Sequence, residues 1–165
     1  MDYYQGVVVD YLRADRAVFV NTECCIQLNA GPGPDKGGTY WYCDAVAIDF
    51  RNHEIFLCET SYAEKLGALI ERLRKWSASW EGVCTALVRD CKVPENWPIR
   101  PWLFVPQRSV ESLAECLQQL KSADGSAIFR PRITSLESVQ PWKFHDWNHQ
   151  DKDTDKSEVP ESMRS

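Results

Sequence analysis

Two carboxylates, Asp44 and Glu59, stand at mirror positions about the dipeptide Arg51-Asn52. A tight hairpin that turns at this dipeptide sets the two acids opposite each other. Directly opposed residues of an antiparallel pair have Cβ atoms about 5 Å apart. At ~4 Å two carboxylates repel by about 4 kcal/mol for an effective dielectric near 20. The spacing therefore predicts that a cation, a shared proton or a different register offsets the repulsion.

Both faces of this predicted hairpin, from Tyr40 to Phe50 and from His53 to Ser61, are apolar. The face of the two acids also carries Val46, Ile48, Ile55 and Leu57, and the other face carries Cys43, Ala45, Ala47, Phe56 and Cys58. Strands that are apolar on both faces are usually covered on both faces. We therefore expect central strands of a sheet between helices, with Asp49 and Glu54 as solvent-facing ends of the hairpin.

Length and composition are typical of one folded domain. The chain has 165 residues, of which 44% are hydrophobic and 12% aromatic, enough to bury most of its surface. No apolar run approaches the roughly 20 residues needed to span a bilayer, and the amino terminus lacks a secretory pattern. The seven cysteines form no Cys-x-x-Cys pair and resemble reduced small hydrophobes. The sequence predicts a cytoplasmic protein without a membrane partner.

Charge separates a domain from a tail. The formal net charge is −5, and Asp146 to Ser165 contributes six acids and three bases to it. This segment is almost devoid of aliphatic residues, so we predict a folded domain over residues 1–143 and an acidic disordered tail over 144–165. Because the folded part is nearly neutral, any nucleic-acid contact must come from a local patch of charge.

Periodicity along the chain predicts an alternation of helices and strands. In order, the predicted elements are a helix within Asp2 to Asp15, a strand from Ala17 to Leu28, a Gly/Pro loop over 29–38, the hairpin, a helix whose apolar face runs from Leu66 to Trp80, a short helix within Gly82 to Lys92, a strand at Trp102 to Val105, a helix around Leu113 to Leu120 and a strand within Ala127 to Val139. Hairpins that feed a helical crossover imply a mixed sheet. The predicted fold class is α/β of the α+β type, a single domain with a central mixed sheet flanked by helices and an αβββαβ core.

This order, together with the two acids, resembles the PD-(D/E)XK phosphodiesterase superfamily, the restriction-endonuclease-like fold, over roughly Asp2 to Val105. In that family an acid on the second core strand and an acid on the third bind a divalent metal, usually Mg²⁺. A lysine two residues after the second acid helps to position or activate the attacking water. Asp44 and Glu59 match the two acids, and Ser61 occupies the place of the lysine.

The sequence departs from the family pattern at three places. Ser61 supplies a hydroxyl without a positive charge, and Lys65, predicted in the first turn of the next helix, is the candidate to replace it. Cys43 stands where the family has a proline. The acid often carried by the opening helix is offered only by Asp10 or Asp15. The other basic residues of the following helix, Arg72 among them, are expected to form its solvated face.

The resemblance implies a metal-dependent nuclease that hydrolyses phosphodiesters of DNA or RNA. Its implied site consists of Asp44 and Glu59 as ligands of Mg²⁺ or Mn²⁺, with Lys65 and Ser61 beside them. Oxygen ligands favour these cations over zinc. Two other hypotheses stay open: a non-catalytic module of the same fold that binds nucleic acid or protein, and an interaction protein whose hairpin acids are ordinary polar strand ends.

Overall fold

The elements of the chain follow the order that the sequence predicts. The computed structural model describes residues 2–28, 40–119 and 130–140. Its elements are α1 (Tyr3–Arg13), β1 (Val18–Gln27), β2 (Tyr40–Asp49), β3 (Glu54–Thr60), α2 (Gly67–Ala78), α3 (Trp80–Cys91), β4 (Ile99–Val105), α4 (Val110–Gln119) and β5 (Arg132–Ser135). A 3₁₀ turn, Gln107–Ser109, precedes α4. The predicted single-domain α+β fold is confirmed.

The described strands form one five-stranded mixed sheet in the order β1-β2-β3-β4-β5. The first three strands are antiparallel neighbours, whereas β4 is parallel to β3 and β5 is parallel to β4. Parallel neighbours cannot be joined by a tight turn. The helices α2 and α3 therefore form the crossover between β3 and β4, and β3 becomes the central strand of the sheet.

Each face of the sheet has its own hydrophobic core. One core joins the sheet to α2, α3 and α4; it includes Leu57, Leu73, Trp76, Leu87 and Leu103. The other joins the sheet to α1; it includes Tyr11, Leu12, Phe56, Trp102 and Phe104. The prediction that the hairpin is covered on both faces is confirmed. Polar groups at the ends of its strands are consequently held between two helical layers.

Asp49 closes the turn between β2 and β3. Its carboxylate is fully buried and accepts hydrogen bonds from the backbone amides of Arg51 and Asn52 at 2.9 and 3.0 Å, and from the side-chain amide of Asn52 at 2.8 Å. The prediction of a solvent-facing Asp49 is wrong, because the carboxylate satisfies the amides that the turn leaves unpaired. Glu54 is half-buried and pairs with Arg100 at 3.1 Å.

Several boundaries differ from the sequence prediction. The helix whose first turn was expected to carry Lys65 begins at Gly67, so Lys65 precedes it. The apolar face expected to continue to Trp80 is divided at Ser79, where α2 ends and α3 begins. In the described residues the last strand is confined to Arg132–Ser135. The predicted Gly/Pro loop over 29–38 and the predicted acidic tail over 144–165 lie outside the described residues.

The described residues include all seven cysteines, and every one of them is a free thiol. Cys24, Cys43 and Cys58 are buried in the sheet, where the sequence predicts small hydrophobes.

Within the described ranges, no helix combines the length and the apolar character needed to cross a bilayer.

The turn contacts of Asp49 predict a measurable cost of removing its carboxylate. Asp49→Ala leaves buried turn amides without acceptors, so we expect the free energy of unfolding to fall by about 2 kcal/mol. Asp49→Asn keeps one acceptor oxygen and is expected to cost less. Urea denaturation of the three proteins measures the difference. Equal midpoints for Asp49→Ala and the wild type would show that the turn does not depend on this carboxylate.

Candidate carboxylate site

The β2–β3 hairpin brings Asp44 and Glu59 to the same end of the β2–β3 ladder. The register predicted from the sequence is confirmed, with Asp49 opposite Glu54 and Ala45 opposite Cys58. The ladder ends there, one residue before the two acids would pair. The carboxylate of Asp44 instead accepts the backbone amide of Thr60 at 2.7 Å. A side-chain oxygen thus replaces a ladder carbonyl at the point where the two strands separate.

At Asp44 the regular alternation of side chains between the two faces of the sheet is interrupted. Ala45 and Ala47 pack in the core beneath α1, whereas Cys43 packs in the opposite core. Strict alternation would place Cys43 on the same face as Ala45 and Ala47. The prediction that these three residues share a face is therefore wrong. On the neighbouring strand, Glu23 has φ 52°, which interrupts the β1–β2 ladder beside Asp44. At this irregularity the carboxylate of Asp44 contacts Gln5 of α1 and the backbone amide of Thr60.

The carboxylate of Glu59 is buried at the end of the central strand, with the residue only 2% exposed. Its Oε2 accepts a hydrogen bond from the guanidinium of Arg72 on α2, which forms an ion pair with it. Its Oε1 is buried and has no hydrogen-bond partner among the described residues. Arg72 therefore neutralises one oxygen of Glu59. The other oxygen lacks the hydrogen-bond donor or cation that a buried carboxylate oxygen normally has.

Asp44 is held by the opening helix. The Gln5 side-chain amide donates to Oδ1 of Asp44 at 2.7 Å, while the carbonyl oxygen of the same side chain accepts the backbone amide of Asp2 at 2.8 Å. Asp2 in turn caps α1 by accepting the amide of Gln5 at 2.9 Å, which completes a capping box. The amino terminus of α1 and the carboxylate of Asp44 thus share one side chain.

Burial dominates the electrostatics of both acids. Desolvation raises the pKa of Glu59 to about 8, with the negative charge of Asp44 adding to the rise and Arg72 opposing it. Desolvation also raises the pKa of Asp44, and the Thr60 amide, Arg72 and Gln5 oppose this rise. Both shifts favour the protonated form. The site therefore attracts positive charge, either as protons or as a cation.

The other residues predicted for the site are not brought into contact with the carboxylates. Lys65 is exposed, and among the described residues its ammonium makes no hydrogen bond or ion pair with Asp44 or Glu59. Ser61 lies beside Glu59 in sequence, and its backbone amide donates to the carbonyl oxygen of Phe104 at 2.9 Å. Their proposed roles remain predictions.

The opening-helix acids Asp10 and Asp15 do not contact this carboxylate pair either. Asp15 is fully buried, and it accepts the backbone amide of Ala17 at 2.7 Å and pairs with Arg51 at 3.1 Å. Asp10 is exposed. Asp15 therefore fixes the end of α1 to the β2–β3 turn, beyond the end of β2, whereas Asp44 lies in the middle of that strand.

Two residues that the sequence analysis did not assign to the site contact its acids directly. The sequence pattern indicates a capping role for Gln5, because this residue stands three positions after Asp2, as in a capping box. Arg72 was expected on a solvated helix face, and its side chain is indeed 46% exposed. Its guanidinium nevertheless contacts Glu59, because a long arginine side chain can extend its charged end from the helix to the sheet.

A groove of about 1210 Å³ lies at the other end of β3. Its lining includes Glu54, Trp80, Arg89 and Trp97, and it does not include the carboxylate pair. Glu59 lies five positions after Glu54 along the strand, which corresponds to about 17 Å. The groove is therefore separate from the carboxylate site.

The carboxylate pair offers oxygen donors but no larger cluster. Among residues 2–28, 40–119 and 130–140, no group of three or more His, Cys, Asp or Glu side chains is placed to hold a metal ion. Magnesium is commonly held by one or two carboxylates, with water and substrate phosphate completing its octahedron. Oε1 of Glu59 is the oxygen of the pair that has no hydrogen-bond partner among the described residues, whereas both oxygens of Asp44 accept hydrogen bonds.

Comparison of the chain with protein-family models, with curated proteins and with solved structures found no match.

The raised pKa of Glu59 predicts a pH-dependent stability. The folded protein binds this proton more tightly than the unfolded chain, so stability is highest at low pH and falls as pH rises from the ordinary value of 4.5 to about 8. Since each pKa unit corresponds to about 1.4 kcal/mol, we expect a loss of roughly 5 kcal/mol across this window. Urea midpoints at a series of pH values measure it.

Glu59→Gln is the matched control, because it keeps the shape of the side chain and cannot titrate. The difference in stability between the variant and the wild type should grow in favour of the variant as pH rises. A difference that stays constant from about pH 5 to about pH 8 would contradict the raised pKa of Glu59.

Proposed function

We propose that the chain is a divalent-metal-dependent nuclease of the restriction-endonuclease-like type, which hydrolyses phosphodiester bonds at Asp44 and Glu59. The proposal rests on the resemblance to the PD-(D/E)XK superfamily and on the arrangement of the two acids. The αβββαβ order and the mixed sheet agree with that resemblance. We further propose that the protein acts in the cytoplasm, where free thiols persist.

The buried and unpartnered Oε1 of Glu59 is the observation that carries the proposal. A structural carboxylate normally satisfies both of its oxygens. Here Arg72 satisfies only Oε2, and Asp44 places a second negative charge nearby, which raises the pKa of Glu59. Both features favour a cation on the free oxygen. Asp44 and Glu59 are the residues that would hold Mg²⁺ or Mn²⁺.

A divalent cation at this position supplies the polarisation of the phosphodiester and lowers the pKa of a bound water. The chain's own residues have separate tasks. Gln5 holds the carboxylate of Asp44 in place, and the backbone amide of Thr60 donates to its other oxygen. Arg72 supplies positive charge where the transferred phosphoryl group becomes more negative. It takes the role that the family gives to a lysine and that Ser61 cannot perform.

A second candidate function is a non-catalytic module of the same fold that binds nucleic acid or protein. The Arg72–Glu59 ion pair favours this alternative, since a guanidinium can offset the charge of Glu59 without any metal. Both oxygens of Asp44 also have hydrogen-bond partners. The two candidates differ in whether Mg²⁺ binds and whether turnover follows.

Mg²⁺ or Mn²⁺ at millimolar concentration should raise the melting temperature of the wild type by roughly 3 °C, and should support cleavage of DNA or RNA oligonucleotides. Glu59→Gln and Asp44→Asn should abolish both effects, because each removes a negative ligand. Differential scanning calorimetry and a gel cleavage assay measure the two effects. Glu54→Gln, at the other end of β3, is the matched control and should behave like the wild type.

A wild type that neither gains stability nor cleaves DNA or RNA in either metal would overturn the nuclease proposal. Stabilisation that Glu59→Gln abolishes, without any cleavage, would identify a metal site that has lost its activity. Stabilisation that persists in Glu59→Gln would place the metal elsewhere.

Arg72 and Lys65 are competing sources of the positive charge. Arg72 contacts Glu59 and Lys65 does not, so Arg72→Ala should lower single-turnover cleavage by about 100-fold or more, with Lys65→Ala close to the wild type. Lys75→Ala, an exposed change on the same helix, is the control. Ser61→Ala should be tolerated, and Ser61→Lys should restore part of the activity lost in Arg72→Ala. Loss of cleavage in Lys65→Ala alone would assign the role to Lys65 instead.

A further inference from the structure

Three tyrosines form an aromatic cluster beside the carboxylate site. The rings of Tyr4 and Tyr62 are stacked, with centroids 4.1 Å apart and planes within 9° of parallel. Tyr3 meets the edge of Tyr4 at 5.3 Å. Two of these rings are open to solvent, since Tyr3 is 69% and Tyr62 is 49% exposed. The cluster is therefore a surface feature with an aromatic face that the core does not cover.

The chain connects this cluster directly to the two acids. Tyr4 precedes Gln5, whose amide holds Asp44. Tyr62 follows the end of β3, where the amide of Thr60 donates to the same carboxylate. Each stacked ring is thus at most two residues from a group that contacts Asp44. A ligand that places a phosphodiester at the carboxylates also has its neighbouring groups within reach of these rings.

Positive charge accompanies the rings. The guanidinium of Arg108 lies 5.8 Å from the centre of the Tyr62 ring and is carried by the 3₁₀ turn after β4. The amide of Ser61 donates to Phe104 at the end of β4, which holds the two chain segments together. Arg108 is exposed. The cluster therefore combines flat aromatic surface with a cation, the combination that binds bases and phosphates of single-stranded nucleic acid.

Packing alone explains the contact between Tyr4 and Tyr62, which joins α1 to the segment after β3. It does not explain why Tyr62 stays half exposed beside the guanidinium of Arg108. A buried tyrosine hydroxyl usually finds a partner and a buried ring is covered on both faces. An exposed ring beside an exposed guanidinium is instead able to accept a flat ligand without rearrangement of the core.

We propose that Tyr62, supported by Tyr4 and Arg108, binds an unpaired base of a single-stranded nucleic acid whose phosphodiester lies at Asp44 and Glu59. The inference names the substrate class and rests on the proposed function for the position of the phosphodiester. The base stacks on Tyr62 in the place that Arg108 occupies over the ring, and Arg108 contacts the adjacent phosphate. Paired bases in a duplex do not offer a free face to the ring, so single strands bind better.

The test measures binding without metal, so that it does not depend on cleavage. Fluorescence anisotropy of a labelled single-stranded oligonucleotide of about ten nucleotides, in buffer with EDTA, gives the dissociation constant. Tyr62→Ala should weaken binding by about tenfold. Tyr62→Phe keeps the ring and should bind like the wild type. Phe50→Ala removes a ring of equal exposure, 49%, from the other end of the sheet and should have no effect.

Further binding measurements test whether the ring binds an unpaired base and whether Arg108 contacts a phosphate. A blunt duplex of the same sequence should bind the wild type more weakly than the single strand and should respond little to Tyr62→Ala. Arg108→Ala should weaken the binding of the single strand and reduce its dependence on salt concentration, because one phosphate contact is lost. The mononucleotide alone, used as a competitor, should not displace the strand at equal base concentration.

The outcomes separate this inference from the nuclease proposal. Equal binding by Tyr62→Ala and the wild type overturns the base-stacking role, whether or not the wild type cleaves in Mg²⁺. Absence of single-strand binding by the wild type overturns it as well. Ring-dependent binding without cleavage in any metal supports this inference and leaves the chain as a non-catalytic nucleic-acid-binding module.

Discussion

The burial of the Glu59 carboxylate at the end of the central strand is the constraint on which the site depends. Removing a carboxylate from water is costly unless it is paired, protonated or bound to a metal. Arg72 on α2 pairs with one oxygen of this carboxylate. The other oxygen, Oε1, has no hydrogen-bond partner among the described residues, so a proton or a cation is needed there. The contacts around Glu59 are consequences of this one buried charge.

The position of β3 explains why the charge is buried. β3 is flanked by antiparallel β2 and parallel β4, and each face of the sheet is covered by its own core. A side chain at the end of such a strand meets protein on all sides except the direction of the strand axis. Each helical layer contributes one polar side chain there, Gln5 from α1 and Arg72 from α2. Both layers must dock for the site to form.

Local patterns in the sequence predicted much of this arrangement. The alternation on either side of Arg51-Asn52 was sufficient to predict the hairpin register, because the buried faces leave only one acceptable pairing. That register alone placed Asp44 and Glu59 at the same end. The order of helices and strands followed from the switch between periods of two and about 3.6.

Other features depend on contacts between residues distant in sequence. The pairing of Arg72 with Glu59 requires the docking of α2 on the sheet, which no periodicity specifies, so an arginine on an exposed helix face gave no signal. Asp49 was expected in solvent, because a strand pattern does not show that a turn will curl over its own carboxylate. The reversal of faces at Asp44 arises from the backbone of Glu23 on the neighbouring strand. A single strand's alternation contains no information about it.

Glu59 is a buried carboxyl, and we propose that a cation converts it to its charged form. The most direct measurement is the ¹³C NMR titration of its side-chain carboxyl, assigned by comparison with Glu59→Gln, with and without saturating Mg²⁺. We expect a pKa near 8 without metal and a clear decrease when Mg²⁺ is added. A pKa close to the ordinary glutamate value that does not respond to Mg²⁺ would contradict both the buried charge and the metal site.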